Sequence, residues 1–351
     1  MRDMWMLARL SCLVAAMFAL LLPLAPARAS GLAVRAATLG QVTERGRLLC
    51  GVGAGQPGFA RQDEKGEWSG LDVDFCRAVA AAIFDDPSRA SIVALTPKER
   101  LKALQTGEVD LLAHGAAWTL ARDAGQGVAF VATLFFDGQG FLTARKRAAQ
   151  SRRDLAGLSI CVQQGTSFEL DLVDGRRASD KPVEPRLFPS FEEAAEAYAQ
   201  GQCDALTADL STLAAERARL EAPDRHAILA ELIDKEPLGP IVRQGDAQWF
   251  DVVRWTYFAM LDAEELGVAS TNVDEALKSA DPRTRRLLGV EGGRVEGFGL
   301  EPDWAYRIVK HVGNYGEVFE RNLGHGSPLG LDRRLNALWT EGGLMYAPPV
   351  R

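Results

Sequence analysis

Apolar and polar positions along this chain form two recurring patterns, short apolar runs and longer stretches with helical spacing. Residues 47–52 and 158–162 are apolar runs that predict buried strands. A stretch with helical spacing follows each run, at 73–84 in the first case and at 167–173 in the second. Strands that alternate with helices of about ten residues indicate a mainly parallel sheet covered by helices. The pattern therefore predicts the α/β fold class.

One α/β unit occurs twice in the sequence. Thr96–Glu99 and Ser190–Glu193 each have the capping-box pattern, in which a hydroxyl and a carboxylate three residues later cap the start of a helix. In both copies a glycine lies 11 residues after the capping hydroxyl, and an aspartate 14 residues after it leads into an apolar strand. Because both copies share these two offsets and the same order of elements, the sequence indicates two lobes that are each built on this unit.

The C-terminal third of the chain is predicted to be helical. Helical spacing covers residues 246–262, 303–322 and 332–340. The last residues, 345–349, are mostly apolar, and we expect them to pack against these helices. This part therefore reads as a helical extension of the two lobes.

The first 29 residues have the pattern of an export signal. Arg2 and Arg9 precede an apolar run from Leu10 to Leu24, and Ala27-Arg28-Ala29 follows as a small-x-small cleavage site. The apolar run is shorter than the roughly 20 residues that span a bilayer. We therefore expect residues 1–29 to be a cleaved signal peptide rather than a permanent anchor, and the mature protein to reside in the periplasm.

Charge and composition narrow the choice of partners. The net charge changes from −7 for the whole chain to −9 without residues 1–29, because three arginines and one aspartate are removed. An acidic surface argues against binding nucleic acid or anionic lipid. The four histidines are His114, His226, His311 and His325, and they are too scattered to suggest a metal site. We expect no cofactor and no metal.

Four cysteines remain after the predicted signal peptide: Cys50, Cys76, Cys161 and Cys203. An even number of cysteines in an exported protein indicates disulfides, and no CxxC motif is present. The first two cysteines belong to the first predicted lobe and the last two to the second. We therefore expect the pairs Cys50–Cys76 and Cys161–Cys203, because a bridge between lobes would oppose their relative movement.

The ends of the predicted strands are the first places to look for a ligand site. Ligands of open α/β sheets bind at the carboxyl ends of the strands. In this sequence those ends fall at 53–58, 114–118, 164–167 and 207–209, and both lobes contribute. The sequence thus predicts a site in a cleft between the lobes.

Two of these strand ends carry groups suited to an anion. Arg122 follows shortly after Trp118, and a guanidinium can hold a carboxylate with two parallel hydrogen bonds. The alternative is a surface arginine paired with Asp123. Thr166 and Ser167 begin a predicted helix, where N–H groups and hydroxyls favour an anion. Ser167 can also be an ordinary N-cap, and one helix start can serve both purposes.

The other two strand ends carry weaker signals. Asp209 offers a carboxylate for an ammonium group, but capping the following helix is the simpler interpretation. The loop Gly53–Gly58 contains Gln56 and matches GxGxxG, although Pro57 and the polar residues after it argue against the helix that a dinucleotide site needs. The loop is either a close backbone approach to a small ligand or a plain turn. No GxSxG, HExxH or helical Cys/His pair indicates an enzyme.

Several motifs together resemble a known family. They are Gly70-Leu71-Asp72-Val73-Asp74, Glu108-Val109-Asp110, Thr119-x-x-Arg122, Gln164-Gly165-Thr166-Ser167 and Cys203-Asp204 to Asp209. Their order is similar to that in polar amino-acid-binding proteins of ABC importers. A further set resembles the general L-amino-acid-binding branch of that family: residues 235–240, 244–250, 314–317 and 346–349.

The resemblance implies a monomeric two-lobed periplasmic-binding-protein clamshell with two hinge strands, rather than an enzyme. It assigns Arg122, with Thr166 and Ser167, to the α-carboxylate of an L-amino acid, and Asp209 to its α-ammonium group. Closure of the lobes would capture the amino acid for delivery to ABC permease subunits. Two alternatives remain: a periplasmic enzyme on the same fold, such as a dehydratase, and a sensory module for a related small carboxylate.

One stretch departs from the family pattern. Relatives usually carry hydroxyl or amide side chains just before Trp118, where this chain has Ala113-His114-Gly115-Ala116-Ala117. Either the site makes fewer polar side-chain contacts or it accepts a different ligand. His114 either replaces a lost contact or is a structural histidine.

The resemblance also suggests where the chain passes between lobes. We expect the first lobe to comprise residues 30–143 and 242–351, and the second lobe residues 144–241. The two crossings are expected near Phe141–Ala144 and Leu238–Val242.

Overall fold

The structure is a computed structural model that describes residues 37–350, except residues 54, 97, 114–116, 178–181 and 294 and the side chains of residues 167 and 174–177. The predicted signal peptide and His114 lie outside the described residues. The strands are β1 Leu48–Gly53, β2 Arg61–Gln62, β3 Trp68–Ser69, β4 Ala90–Leu95, β5 Leu111–Leu112, β6 Val128–Phe130, β7 Phe135–Asp137, β8 Gln139–Ala144, β9 Ser159–Gln163, β10 Glu184–Phe188, β11 Ala205–Asp209, β12 His226–Ile228, β13 Glu236–Leu238 and β14 Ile241–Arg243.

The α-helices lie between and after these strands. They are α1 Thr38–Arg45, α2 Leu71–Phe84, α3 Arg100–Thr106, α4 Leu120–Gly125, α5 Ser167–Arg177, α6 Phe191–Ala199, α7 Leu210–Arg219, α8 Ala247–Glu265, α9 Val273–Ala276, α10 Pro282–Leu287, α11 Trp304–His311 and α12 Tyr315–Asn322. Within the described ranges, none of the helices combines the length and the apolarity that crossing a membrane requires.

Two five-stranded sheets organise these elements, with strand orders β4-β1-β5-β14-β6 and β10-β9-β11-β8-β12. In each sheet four strands run in one direction and one strand, β14 or β8, runs against its two neighbours. The reversed strand is in each case the one that the chain enters after passing from the other sheet. We call the part built on the first sheet the first lobe and the part built on the second sheet the second lobe.

The chain changes sheet twice, through residues 131–138 and 229–240. The two crossing segments pair with each other as the antiparallel strands β7 and β13, which we call the hinge ribbon. Strand β8 already belongs to the second sheet, where Gln139 pairs with Asp209. The first change of sheet therefore lies upstream of the expected segment Phe141–Ala144. The apolar residues of β8 have the pattern of a buried strand in either lobe, so they could not show to which sheet the strand belongs.

Only the second copy of the duplicated unit has the helix cap that its motif predicts: the Glu193 N–H donates to the Ser190 hydroxyl (3.2 Å) at the start of α6. In the first copy the Thr96 hydroxyl donates to the Glu99 carboxylate (2.7 Å), but α3 begins later, at Arg100, and has no side-chain capping hydrogen bond. Gly107 and Gly201 follow these helices with φ of 84° and 74°. Such left-handed backbone is favourable for glycine, which explains why each helix stops there.

The C-terminal extension departs in part from its prediction. The helical stretch 303–322 is divided into α11 and α12 at Gly313, whose φ is 98°. Residues 332–340 do not form an α-helix but contain the 3₁₀ turns Arg334–Asn336 and Trp339–Glu341. Helical spacing was misleading here because the buried side chains of this segment contact separate parts of the fold.

The largest hydrophobic core packs α2 against α8, α11 and α12 in the first lobe. Phe135, the first residue of the hinge ribbon, is 1% exposed and lies in this core between Phe59 and Phe319, with ring centroids 5.2 and 6.4 Å away. Aromatic side chains dominate core energetics because of their large buried area. The hinge ribbon is therefore anchored in the first lobe.

Each lobe contains one disulfide. Cys50–Cys76 joins β1 to α2 with a Cα–Cα distance of 6.0 Å, and Cys161–Cys203 joins β9 to the turn before β11 with a distance of 5.7 Å. Both separations are normal for a disulfide. Because each bridge remains inside one lobe, neither one restricts movement between the lobes.

Candidate functional site

The carboxyl ends of the strands in both sheets point to the hinge ribbon. In the first sheet, β6 ends at Phe130, immediately before the first crossing segment. In the second sheet, β11 ends at Asp209, opposite Gln139, the first residue after that segment. Open α/β sheets bind ligands at this edge. The topology therefore brings the candidate edges of both lobes to one region beside the hinge.

Arg122 lies on the short helix α4 in the first lobe. Its Nη1 donates to the Ala117 carbonyl (2.9 Å), and among the described residues the guanidinium makes no ion pair. The alternative partner, Asp123, accepts instead from Trp118 Nε1 (3.0 Å) and from the Phe130 N–H (3.3 Å). Because a guanidinium has five N–H donors, Arg122 retains donors for a carboxylate.

Trp118 joins the Arg122 segment to the hinge ribbon. Its N–H donates to the Pro237 carbonyl of β13 (2.9 Å), and Ala117 forms a β-bridge with Leu238. The indole stacks on Phe130 with a centroid distance of 5.5 Å and an interplanar angle of 8°. Trp118 is 38% exposed, which is high for so large an apolar side chain. It thus presents an aromatic surface beside Arg122.

A second arginine reinforces the positive charge at this position. Arg100 begins α3, and burial followed by the charge of Arg122 lowers the pKa of its guanidinium. Arginine remains charged in proteins despite such shifts, so the two groups repel each other. An anion bound between them would relieve that repulsion. Sequence reasoning missed Arg100 because its position directly after a capping box resembles an ordinary first turn.

Asp209 ends β11 in the second lobe and occupies the N-cap position of α7. Its side chain does not make the capping hydrogen bond. Asp137 of the hinge ribbon takes that role, since it accepts from the Ser211 hydroxyl (2.5 Å) and from the Ser211 N–H (3.3 Å). The structure thus weakens the helix-cap interpretation of Asp209, whose carboxylate stands at the sheet edge that faces the hinge.

Gln139 is a polar residue that the sequence did not single out. Its side chain is fully buried next to Asp209 in the strand register, and Nε2 donates to Thr207 Oγ1 (2.9 Å). Among the described residues, Gln139 Oε1 has no hydrogen-bond partner. Buried polar atoms are normally satisfied. The signal that could have identified Gln139 is its place at the start of β8, an apolar strand.

Thr166 lies in the turn between β9 and α5, at the same sheet edge as Asp209. Its hydroxyl donates to the Gln163 carbonyl (2.7 Å), and the neighbouring Gly165 N–H donates to the Glu169 carboxylate (2.7 Å). A carboxylate thus already interacts with this helix start, as expected for an N-terminus with unpaired N–H groups. The Ser167 side chain lies outside the described residues.

The hinge ribbon carries a group of carboxylates between the two lobes. Glu236 pairs with Asp137 in the strand register, and Asp234 accepts from the Gln139 N–H. Burial raises the pKa of Glu236, and the charges of Asp234 and Asp137 act in the same direction, whereas Arg122 lowers it. The pKa of Glu236 therefore depends on Arg122 and on any anion that Arg122 binds.

Gln56 borders a cavity of about 610 Å³ between the lobes. The first-lobe loop contributes Gln56 and Pro57, and the second lobe contributes Phe191 from α6 and Ser211 from α7. Ser211 lies two residues after Asp209 in the sequence, at the start of α7. The size of the cavity can accommodate a ligand side chain.

Together these residues place groups of opposite charge on the two lobes. Positive charge from Arg122 and Arg100 lies in the first lobe, and the Asp209 carboxylate lies in the second. The described residues contain no group of three or more His, Cys, Asp or Glu side chains arranged for a metal ion. The arrangement can bind and orient a ligand through charge pairing.

Comparison with known proteins identifies relatives of this chain. A family model described as bacterial extracellular solute-binding proteins, family 3, matches residues 48–267. The chain is 48% identical over 321 residues to the general L-amino acid-binding periplasmic protein AapJ of Rhizobium johnstonii, covering 91% of this chain and 94% of that protein. It is 45% identical over 320 residues to the glutamate/glutamine/aspartate/asparagine-binding protein BztA of Rhodobacter capsulatus, with 91% and 95% covered.

A solved structure shows the same fold. It is an ABC transporter periplasmic binding protein from Brucella ovis with glutathione bound, which is 51% identical to this chain with a TM-score of 0.78. The match covers 90% of this chain and all of that protein. These comparisons confirm the resemblance inferred from the motifs and the predicted two-lobed α/β clamshell.

Proposed function

The chain belongs to family 3 of the bacterial extracellular solute-binding proteins, and from this premise we propose that it captures an L-amino acid outside the cytoplasmic membrane. The observation that carries the proposal is the arrangement at the hinge. Arg122 has hydrogen-bond donors to spare in the first lobe, and the Asp209 carboxylate lies at the end of β11 in the second. Two relatives, from Rhizobium johnstonii and Rhodobacter capsulatus, are named as binders of amino acids.

The proposed roles follow from the charges of an amino acid. Arg122 holds the α-carboxylate, with Arg100 adding positive charge and Thr166 and Ser167 contacting it from the second lobe. Asp209 holds the α-ammonium group. A buried charge without a partner is strongly unfavourable, so both ends of the zwitterion need to be paired when the cleft closes.

The ligand side chain would extend toward Trp118 and the cavity beside Gln56. The cavity is larger than a small aliphatic side chain needs, which is compatible with broad specificity. Ala117 offers only backbone groups to a ligand here. His114 lies outside the described residues. Selectivity therefore depends on Trp118, Gln56 and the segment 113–117.

Capture would proceed by closure of the two lobes about the hinge ribbon. We propose that the first lobe comprises residues 37–130 and 241–350 and the second lobe residues 139–228. The closed, ligand-bound form would then dock as a monomer on the permease subunits of an ABC importer. Residues 1–29 would be removed on export to the periplasm, and no cofactor takes part.

A thermal-shift screen tests this function. The mature protein is heated with each common L-amino acid, its D-enantiomer and its deaminated analogue, and the ligands are recovered for mass spectrometry. At least one L-amino acid should raise the melting temperature, since a ligand at 100 times its Kd stabilises by about 2.7 kcal/mol. It should be recovered unchanged.

Two other results would contradict the proposal. Stabilisation by a small carboxylate without an amino group, and by no amino acid, would indicate a sensor or importer of organic acids. Chemical conversion of the recovered ligand would indicate the alternative class, a periplasmic enzyme such as a dehydratase.

A further inference from the structure

The C-terminal segment 329–336, which we call the clasp, is anchored in the first lobe through Arg333. This arginine donates to both carboxylate oxygens of Glu264 on α8, at 2.9 and 3.3 Å. Its guanidinium also lies over the rings of Tyr315 and Phe319, with 5.1 and 4.9 Å to the ring centroids. A bidentate ion pair combined with stacking on aromatic rings is a rigid arrangement.

The next residue, Arg334, contacts the second lobe. Its Nη1 donates to the carbonyls of Leu229 (3.0 Å) and Ala230 (3.4 Å), and its Nη2 to that of Ile228 (3.5 Å). These carbonyls lie at the end of β12, where the second crossing segment begins. The backbone of Arg334 has a φ of +48°, a left-handed conformation that is unfavourable for arginine. Such strain persists where surrounding contacts impose it and often marks functional positions.

The clasp also contacts the hinge ribbon through Asn336. This side chain is 2% exposed. The Phe136 N–H donates to Asn336 Oδ1 (2.7 Å), and Asn336 Nδ2 donates to the Phe136 carbonyl (3.1 Å). The amide thus acts like a peptide group of a third strand along the free edge of β7.

A fourth contact lies farther from the hinge. Arg217 on α7 donates to the Leu329 carbonyl. Because α7 begins at Leu210 beside the hinge and rises 1.5 Å per residue, Arg217 lies about 10 Å along it. The same helix lines the cavity between the lobes. Rotation of the second lobe about the hinge would therefore change the Arg217 contact more than the Asn336 contact.

We propose that the clasp is a third connection between the lobes, which restrains rotation about the hinge ribbon and thereby tunes ligand affinity. Arg333 fixes it to the first lobe, Arg334 and Leu329 join it to the second, and Asn336 stiffens β7. Two short strands of three residues each leave a hinge free to sample many lobe angles. A third connection narrows that range, so less conformational freedom is lost when the ligand closes the cleft.

Arg334 and Asn336 are positioning residues in this scheme. Neither belongs to the charged site formed by Arg122 and Asp209, and each acts on the ligand through the angle between the lobes. Removing the clasp contacts should broaden the distribution of lobe angles in the ligand-free protein. It should also weaken binding, because a smaller fraction of molecules then has the lobes correctly placed.

The first test needs no ligand. Spin labels are attached at Lys102→Cys on α3 and Glu184→Cys on β10, two exposed positions in different lobes. Distances between the two labels are measured by pulsed electron–electron double resonance in the labelled parent and in Arg334→Gly. This substitution removes the guanidinium, and glycine adopts the left-handed backbone conformation without strain. The distance distribution should become broader. An unchanged distribution in Arg334→Gly would overturn the proposal.

Two further variants provide a control and a second test of the Arg334 contacts. Arg283→Ala removes an exposed arginine that pairs with Asp281 in the first lobe and should leave the distribution as in the parent. Arg334→Lys keeps the charge but lacks the planar fork that reaches three carbonyls. Arg334→Lys replaces Arg334→Gly in the comparison if the glycine variant does not fold. It should also broaden the distribution of label distances. A distribution like that of the parent would count against the clasp.

The second test measures affinity and rests on the proposed function. L-Glutamine is titrated calorimetrically into the parent, Arg334→Gly and Arg283→Ala. Arg334→Gly should weaken binding by about threefold to tenfold, with Arg283→Ala unchanged. Broader lobe distances with an unchanged Kd would overturn the role in affinity. If neither L-glutamine nor any other amino acid of the thermal-shift screen binds the parent, the proposed function fails, while the distances between the spin labels still decide whether the clasp restrains the hinge.

Discussion

Arg122 and Asp209 show how a local alternative is decided by partners elsewhere in the chain. Asp123 was the nearest candidate partner for Arg122, yet it bonds Trp118 and Phe130. Asp209 was the nearest candidate cap for α7, yet Ser211 donates to Asp137. In both cases a competing side chain takes the structural role. The contacts that the local sequence suggested for these two residues are therefore not the ones that the structure shows.

At the residue scale, substitutions at Arg122 test the carboxylate role. Leaving a buried charge unpaired costs about 3–5 kcal/mol, so Arg122→Ala should weaken amino-acid binding at least about a hundredfold. Arg122→Lys should restore only part of it, because lysine lacks the planar fork. Calorimetric titration decides the question, with Arg283→Ala as the control. Affinity within threefold of the parent in Arg122→Ala would exclude a direct role.

Asp209→Asn provides the complementary half of that test. It should weaken the binding of an amino acid and spare its deaminated analogue, which has no ammonium group to pair. The comparison separates loss of charge pairing from general damage to the cleft. Equal losses for both ligands would show that Asp209 supports the fold of the site and does not contact the ammonium group.

At the scale of elements, helix α8 holds the end of the chain through a titratable contact. Burial, and then the charge of Glu265, raise the pKa of Asp262 to about 7, although the Val350 N–H that donates to it acts in the opposite direction. The Asp262 side chain borders a cavity that Arg283 and Arg286 also line. Because the folded-state pKa lies above the ordinary value of 3.8, this group stabilises the fold fully below about pH 4. That stabilisation is lost as the pH rises through about 7.

Asp262→Asn should therefore change the pH dependence of stability. Asparagine stays neutral and can still accept from Val350, so the variant should be more stable than the parent at pH 8. We expect a gain of about 1–2 kcal/mol at pH 8 after allowance for solvent screening, and a gain of less than about half that size at pH 5. Urea unfolding at both pH values measures it. Asp251→Asn, an exposed residue of the same helix, should show no such trend, and a matching gain there would refute the assignment.

At the scale of the whole molecule, the strand topology makes closure the natural consequence of binding. Both crossing segments leave from sheet edges that carry the candidate ligand groups, and both disulfides remain within single lobes. A ligand that contacts Arg122 and Asp209 at once must draw the two edges together. Such a ligand stabilises the closed form by its differential affinity for it.

Small-angle scattering can measure this closure. The radius of gyration of the parent should fall when a saturating amino acid from the thermal-shift screen is added. Arg122→Ala at the same ligand concentration should keep the larger radius, because it cannot hold the carboxylate. A radius that does not change in the parent, although calorimetry shows binding, would argue for a site preformed within one lobe.

Much of the local structure could be predicted from the sequence because its causes lie within a few residues. The Ser190–Glu193 helix cap and the left-handed glycines 107 and 201 are contacts or conformations of neighbouring positions. Apolar runs with turn signals likewise predict β1 and β9. The polar groups at strand ends followed from the general rule for open sheets. These features determined the fold class and the main candidates for the site.

The tertiary structure alone decided which distant segments meet. β8 belongs to the second sheet because it pairs with β11, and its apolar side chains would suit either lobe. Asn336 reaches Phe136 across 200 residues, and Arg334 reaches Leu229 across 105. No local pattern encodes such contacts, since they depend on the path of the whole chain. The sequence by itself therefore determined the elements, the charges and the family of this protein, whereas chain topology determined its hinge, the cap of α7 and the clasp that joins its lobes.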